Sequence, residues 1–291
     1  MKGKTLALLA LFLASILGSC VIVFIKVGLK TVPPFAFTAL RFFIASITLL
    51  PFFLMEKQPN SKDAVKLTLI STLPSLNILL FIIGIRFTSA NIGQVLYVAV
   101  PIIVALLSFL ILKEKLTFRK IAGIALGFAG TVMLLTSKKI VGGYSFQENF
   151  LGSLLIVVGA ILFSFYLIFS KQMQRKYSPL LMTGYFNIVC TILALALTLL
   201  TEIKLYPAMW GEFNFTSLGL LLYVAIFGTS VYYLLQQYVI KKGSAVLSSV
   251  ILYIQPILTA FWAYAILGEK INGNFFISAV MIVLASIMVA L

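Results

Sequence analysis

Ten long apolar runs, separated by short charged or turn-rich connections, organise this chain. They cover residues 5–29, 35–54, 65–85, 90–112, 119–136, 150–170, 179–200, 217–237, 245–267 and 273–291. Each is close to the about 20 residues that carry an α-helix across hydrocarbon. The runs are continuous rather than alternating, which favours helices over barrel strands. The sequence therefore predicts an all-α integral membrane protein with ten transmembrane helices. The first run begins with Lys2 and Lys4 and contains Leu17-Gly18-Ser19-Cys20, a pattern shared with cleaved lipoprotein signals. Its apolar stretch continues past that box, longer than a signal region needs, so it reads as the first span.

The pattern repeats. Pro101, Glu114 and Lys115 recur 155 residues later as Pro256, Glu269 and Lys270, with Ser89, Ala90, Val95, Ile102 and Ala105 also matched in that register. The earlier spans match at an offset of 145, where Lys26 and Pro34 correspond to Lys171 and Pro179. Self-similarity on this scale predicts a duplicated unit. The expected domains are a first repeat of five spans over 1–137, a connecting loop over 138–149, and a second repeat of five spans over 150–291. With the amino terminus in the cytoplasm, the inner loops collect twice as many Lys and Arg residues as the outer ones, as orientation by positive charge requires. Five is odd, so the two copies become inverted five-helix repeats, an arrangement that places substrate near the midplane in many secondary transporters.

Composition agrees with a bilayer. The chain of 291 residues is 62 % hydrophobic and 10 % charged, against about 25 % charged for a soluble domain. The formal charge of +15 does not point to nucleic acid, because the basic residues lie between spans and are not interleaved with aromatics. Cys20 and Cys190 sit inside apolar runs and read as small buried hydrophobes. Histidine is absent, and no metal or other cofactor is expected.

The residues resemble the EamA-type family of the drug/metabolite transporter superfamily. Pro34 with Leu40-Arg41-Phe42 carries the resemblance on the second span, as do Phe87-Thr88-Ser89-Ala90-Asn91, Pro101 and Lys113-Glu114-Lys115-Leu116 around the fourth. Gly123, Gly127 and Gly130 follow on the fifth, and Lys242-Gly243-Ser244-Ala245, Pro256 and Leu267-Gly268-Glu269-Lys270 repeat the signature. The resemblance covers nearly the whole chain. It implies a solute carrier whose cavity lies between spans one, three, four, six, eight and nine. The substrate is left open, since the family is similar to exporters of amino acids, other metabolites and drugs, and to nutrient importers.

Arg41 has Phe186 at its matching position, so only one half places a cation in the bilayer. A buried guanidinium must face protein, water or a partner. It either holds a carboxylate or phosphate through its bidentate fork, or it snorkels to a structural role. Asn77, Asn91, Gln94, Tyr97, Tyr166, Tyr232 and Tyr253 are the other candidate substrate-binding residues, with interhelical bonding as the alternative. Duplication places Tyr253 nearer the cavity than Gln255, whereas periodicity selects Ser244, Ser248, Gln255 and Thr259. Pro101, Pro256, Glu114, Glu269, Lys26 and Lys171 are candidate hinge or gate residues. Thr117 and Asn272 are expected to cap the fifth and tenth helices.

No acid or histidine lies at the centre of a span, so uniport or exchange is expected rather than a titrating relay. Arg41 tilts the substrate towards an amino acid or related carboxylate-bearing solute moved by alternating access, with export the expected direction. The alternatives are a cationic, aromatic or quaternary amine solute and, in another class, a non-transporting membrane scaffold subunit. The chain is not expected to be an enzyme. Its expected partners are a small solute and the lipid bilayer, as a monomer or homodimer, in the inner membrane of a bacterium or archaeon.

Overall fold

The structure is a computed structural model that describes residues 2–28, 32–87, 93, 96–136, 146–202, 215–267 and 273–290. Every described element is helical: α1 (Lys2–Gly28), α2 (Pro34–Met55), α3 (Ser61–Phe87), α4 (Val100–Ile111), α5 (Phe118–Thr136), α6 (Phe146–Met173) and α7 (Pro179–Thr201). There follow α8 (Phe215–Ala225), a π-helical turn (Ile226–Val231), α9 (Tyr232–Lys242), α10 (Ala245–Ser249), α11 (Ile251–Leu267) and α12 (Gly273–Ala290). Among the described residues, seven helices are long and apolar enough to cross a membrane, and 100–111 and 276–289 form shorter apolar helices. Leucine, isoleucine and phenylalanine side chains project from the outside of the bundle, as on α2 at Phe43, Ile47 and Phe52. This is a membrane protein.

Helix ends follow local chemistry. Pro34 opens α2 and Pro179 opens α7, positions where the missing N–H has no intrahelical partner to lose. Ser178 caps α7 by accepting from the Leu181 amide at 3.1 Å, and Ser244 caps α10 from Leu247 at 3.0 Å. At α2 the caps are supplied from far along the chain: the Glu202 carboxylate accepts from the Phe35 and Ala36 amides at 3.2 and 2.8 Å. Thr117 accepts from the Lys120 amide at 3.3 Å and starts α5 as expected, while Asn272 lies outside the described residues.

The most extensive packing joins α3 to α6, α5 to α12, and α2 to α7, with α1 against α9 and α11. In each case one helix comes from before residue 137 and the other from after 145. The glycine face of α5 lies inside this packing: Gly123 and Gly130 meet α12, and a Cβ at Gly127 would overlap the Tyr253 ring. The main buried core is centred on Phe42, Tyr166, Phe186 and Tyr233, whose rings form a continuous cluster with Phe42–Phe186 at 5.2 Å and Phe186–Tyr233 at 4.7 Å.

Two helices are interrupted near mid-bundle. The turn at Val98–Ala99 precedes α4, so Pro101 occupies the first turn of a helix rather than the middle of one. Pro256 lies inside α11, and the break on that side falls earlier, at Val250. The matched prolines thus have different backbone settings. Between α8 and α9 the helix widens into a π turn, where Thr229 Oγ1 donates to Val224 O five residues back at 2.8 Å.

Candidate functional site

A cavity of about 510 Å³ lies between α1, α2, α3, the Tyr97 segment, α6, the π turn, α9 and α11. Thr38 and Arg41 enter it from one face of α2, about one turn apart. Asn77, Phe81 and Ile85 enter from α3 at spacings of four, the stacking period of a helix. Tyr232 and Tyr233 come from α9, Gln255 and Pro256 from α11, and Gly18 and Val21 from α1. Glycine at position 18 is required by space, since a Cβ there would overlap Gln255 and Tyr232.

Arg41 is 8 % exposed and held from one side. Its Nε donates to Thr229 Oγ1 at 2.6 Å, and its Cζ lies 4.9 Å from the Phe42 ring centre. Tyr233 lines the same cavity. The π turn explains the first contact: widening the backbone directs Thr229 towards α2, where Ser230 also donates to Ala45 O at 3.1 Å. Among the described residues, no carboxylate forms an ion pair with Arg41. The rest of the lining is mostly apolar and aromatic, with Asn77 and Tyr97 hydrogen-bonded to each other across the cavity wall and Phe81 edge-on to Tyr97 at 5.2 Å.

Of the sequence-predicted residues, the cavity brings together Arg41, Asn77, Tyr97, Tyr232 and Pro256. Tyr166 is fully buried outside the lining, where its hydroxyl accepts from Gln237 Nε2 at 2.7 Å. The expected order of Tyr253 and Gln255 is reversed. Tyr253 packs on Gly127 of α5 and donates to Ile124 O at 3.2 Å, while Gln255 lines the cavity. The break at Val250 shifts the register, so duplication misplaced this helix. Periodicity placed it better: Thr259 donates to Ser19 O at 3.0 Å and Ser248 to Gln236 O at 3.3 Å, each bonding across to another helix. Asn91, Gln94 and Glu269 lie outside the described residues, as does the Lys26 side chain. Thr38, Phe81 and Phe163 were missed, although Thr38 shares the Arg41 face at helical spacing. Nothing in the sequence marks the π turn that makes Thr229 a partner.

The cavity stops towards the end of the bundle where α6 and α9 terminate. Below the Phe42–Tyr166–Phe186–Tyr233 rings, Gln237 Nε2 donates to Tyr166 and to Ser170 Oγ at 3.3 Å, and Gln174 Nε2 bonds to Gln237 Oε1. Beyond them Lys171 Nζ donates to Ile240 O at 2.7 Å, Gly243 O at 2.9 Å and Lys241 O at 3.4 Å. At the same end Glu114 accepts from Ser108 Oγ at 2.7 Å, and Asp63 accepts from Tyr177 at 2.7 Å and Lys176 at 3.4 Å. Glu114 and Lys171 line a second cavity there, of about 440 Å³. Among the described residues no cluster of metal-ligating side chains forms.

A helical membrane bundle with an interhelical cavity, lined among the described residues by aromatic walls and one cation without an ion-pair partner, has the architecture of a solute transporter. The chain matches the EamA-like transporter family over residues 5–136 and again over 150–291, and it belongs to that family. It is similar to an uncharacterized transporter of Archaeoglobus fulgidus, 28 % identical over 274 residues that span 93 % of this chain and 91 % of the relative. The uncharacterized transporter YoaV of Bacillus subtilis is 23 % identical over 263 residues, 88 % of this chain and 87 % of the relative. A solved crystal structure shares the fold with a TM-score of 0.83 at 20 % identity, covering 97 % of this chain and 95 % of that one.

Proposed function

We propose that this transporter moves a small carboxylate-bearing organic solute, such as an amino acid, by alternating access between two inverted five-span repeats. The observation that carries the reading is Arg41, a guanidinium without a carboxylate partner among the described residues, facing a cavity of about 510 Å³. Its fork can take an anionic group bidentately while the aromatic and aliphatic walls accommodate the rest of the solute. The pairing of helices supports the inverted repeat: exchanging each span for its counterpart maps α3–α6 onto α8/α9–α1, and leaves α2–α7 and α5–α12 unchanged. Basic residues concentrate at the end where α6 and α9 finish, which supports cytoplasmic termini and an inner-membrane location. The cavity lies on the other side of the ring cluster, so this conformation reads as open outwards and closed inwards. Uniport or exchange, in the direction of export, fits the lack of a titratable relay at the centre of the spans.

Purified protein in proteoliposomes tests this. Wild type is expected to carry carboxylate-bearing solutes, with Arg41→Ala slowing them about tenfold or more while neutral amide analogues are spared, the loss of one charge-assisted contact. Equal loss for charged and neutral solutes would make Arg41 structural and remove the carboxylate assignment. No flux of any solute by wild type would remove transport itself.

A further inference from the structure

The second cavity carries a different chemistry from the first. Lys171, Arg175, Lys241 and Lys242 line it against a single carboxylate, Glu114. Three of these five groups are already engaged. Lys171 is held by the carbonyls at the end of α9, Glu114 by Ser108, and Lys241 Nζ donates to Tyr177 O at 3.2 Å. Arg175 and Lys242 are exposed, and among the described residues neither side chain has an ion-pair partner. The site is therefore an electropositive recess with two uncommitted cations at its rim.

Its remaining polar wall is Gln174, 5 % exposed. The direction of the amide chain is fixed from within: Gln237 spends its Nε2 on Tyr166 and Ser170, so its carbonyl oxygen receives Gln174 Nε2. Gln174 Oε1 is left buried with no donor. A buried acceptor in that condition costs about 1–3 kcal/mol unless something donates to it. Cations at the rim call for an anion, and the orphaned oxygen calls for a hydroxyl on the same ligand.

We propose that this recess binds a phosphate ester carrying a neighbouring hydroxyl, the chemistry of a glycerol phosphate group. Phosphate oxygens accept from the Arg175 fork and Lys242, Leu112 contacts the carbon frame, and rotation of the Gln174 side chain, which otherwise keeps Oε1 shielded from solvent, brings that oxygen to the hydroxyl. Such chemistry comes either from the headgroup of an anionic lipid or from a soluble phosphate ester. A plain carboxylate leaves Gln174 unsatisfied. Because the recess is built from the ends of α6 and α9 and from the residues after α4, an occupant ties together the elements that close this end.

The test uses the full chain in phosphatidylcholine nanodiscs, with phosphatidylglycerol in one arm and soluble glycerol 3-phosphate in the other. Binding and thermal stability are measured beside the Arg175→Gln/Lys242→Gln variant, whose exposed substitutions leave the fold intact. Wild type is expected to bind at least one probe about tenfold more tightly than the double variant, from the loss of two headgroup-facing cations. Gain from phosphatidylglycerol alone assigns a lipid site, and gain from glycerol 3-phosphate in neutral discs assigns a soluble ligand. Gln174→Met is expected to bind inorganic phosphate as before while losing the preference for glycerol phosphate over it. Equal binding of both probes by wild type and the double variant overturns the site, and an unchanged preference in Gln174→Met overturns its hydroxyl specificity.

Discussion

Under the proposed inverted repeat, the two ends of the bundle carry matching sequence positions that are filled in opposite ways. On the cavity side stand Val21, Phe81 and Ile82. Their counterparts, 145 or 155 residues later, are Tyr166, Gln236 and Gln237, all fully buried at the closed end. Phe42, in the ring cluster, corresponds to Asn187 in the same way. Apolar walls can border an open cavity without demanding partners. Amides and phenols hold a closed end shut with directional bonds, provided each finds a partner in the dry state. Here the bonding is divided. Gln237 and Tyr166 are satisfied, whereas both polar atoms of Asn187 and of Gln236 have no partner. This end is thus held by some groups and penalised by others, a balance that suits the proposed alternating access, in which it opens in turn.

Gln237→Leu should show the largest effect. Three side-chain bonds, to Tyr166, Ser170 and Gln174, disappear together. At about 0.6 kcal/mol for each interhelical bond in a membrane, roughly 2 kcal/mol of stability is lost. Thermal unfolding in detergent measures it, with Ile82→Leu at the matching open-end position expected to stay near wild type. Similar losses at both positions would abolish the distinction between the ends.

Lys171→Met comes next. It removes the ammonium from the Ile240, Lys241 and Gly243 carbonyls, an arrangement at a helix C-terminus worth about 1 kcal/mol. Amide exchange at the junction of α9 and α10 should accelerate, and exchange in α2 and α3 around the cavity should not. A uniform rise along the chain would mean that Lys171 supports the whole bundle rather than one end.

Asn187→Leu should act in the other direction. Removing a buried amide with no partner is expected to raise stability by about 1 kcal/mol, while solute turnover falls because hydrating Asn187 no longer favours opening. A variant both less stable and fully active would show that Asn187 is partnered in the closed state after all.

Much of the bundle was legible because membrane spans announce themselves by length, and duplication by fixed offsets. The membrane class and the position of Arg41 on α2 follow from span length, whereas the family and the cavity between spans one, three, four, six, eight and nine follow from the resemblance carried by the motifs around Arg41, Pro101 and Glu114. What escaped depends on local register. Duplication, mapping Gln94 and Pro101 onto Ser249 and Pro256, orients the ninth span with Tyr253 towards the cavity, but the breaks at Val98–Ala99 and Val250 fall at non-matching positions, so the two halves turn different faces inwards. Thr229 corresponds to Pro74. One copy carries proline where the other carries a π turn, and neither pattern of side chains reveals a widened backbone. Glu202 capping α2 is a contact across 167 residues, beyond the reach of any periodicity.

The smallest expected effect lies at a helix end where one half of the chain carries lysine and the matching sequence position of the other carries glycine. α4 ends with the Leu112 and Glu114 amides both donating to Ser108 O, at 3.1 and 3.2 Å, which obliges Lys113 to adopt a left-handed backbone with φ 56°. That conformation costs an L-residue about 1 kcal/mol and costs glycine almost nothing. The counterpart of Lys113, 155 residues later, is Gly268. Lys113→Gly should therefore stabilise the chain by about 0.5 kcal/mol, the strain relief reduced by the greater freedom of glycine in the unfolded state. Lys113 is exposed and does not line the second cavity, so phosphate-ester binding should be unchanged. A loss of stability would mean that the lysine contributes at this helix end more than its backbone strain removes.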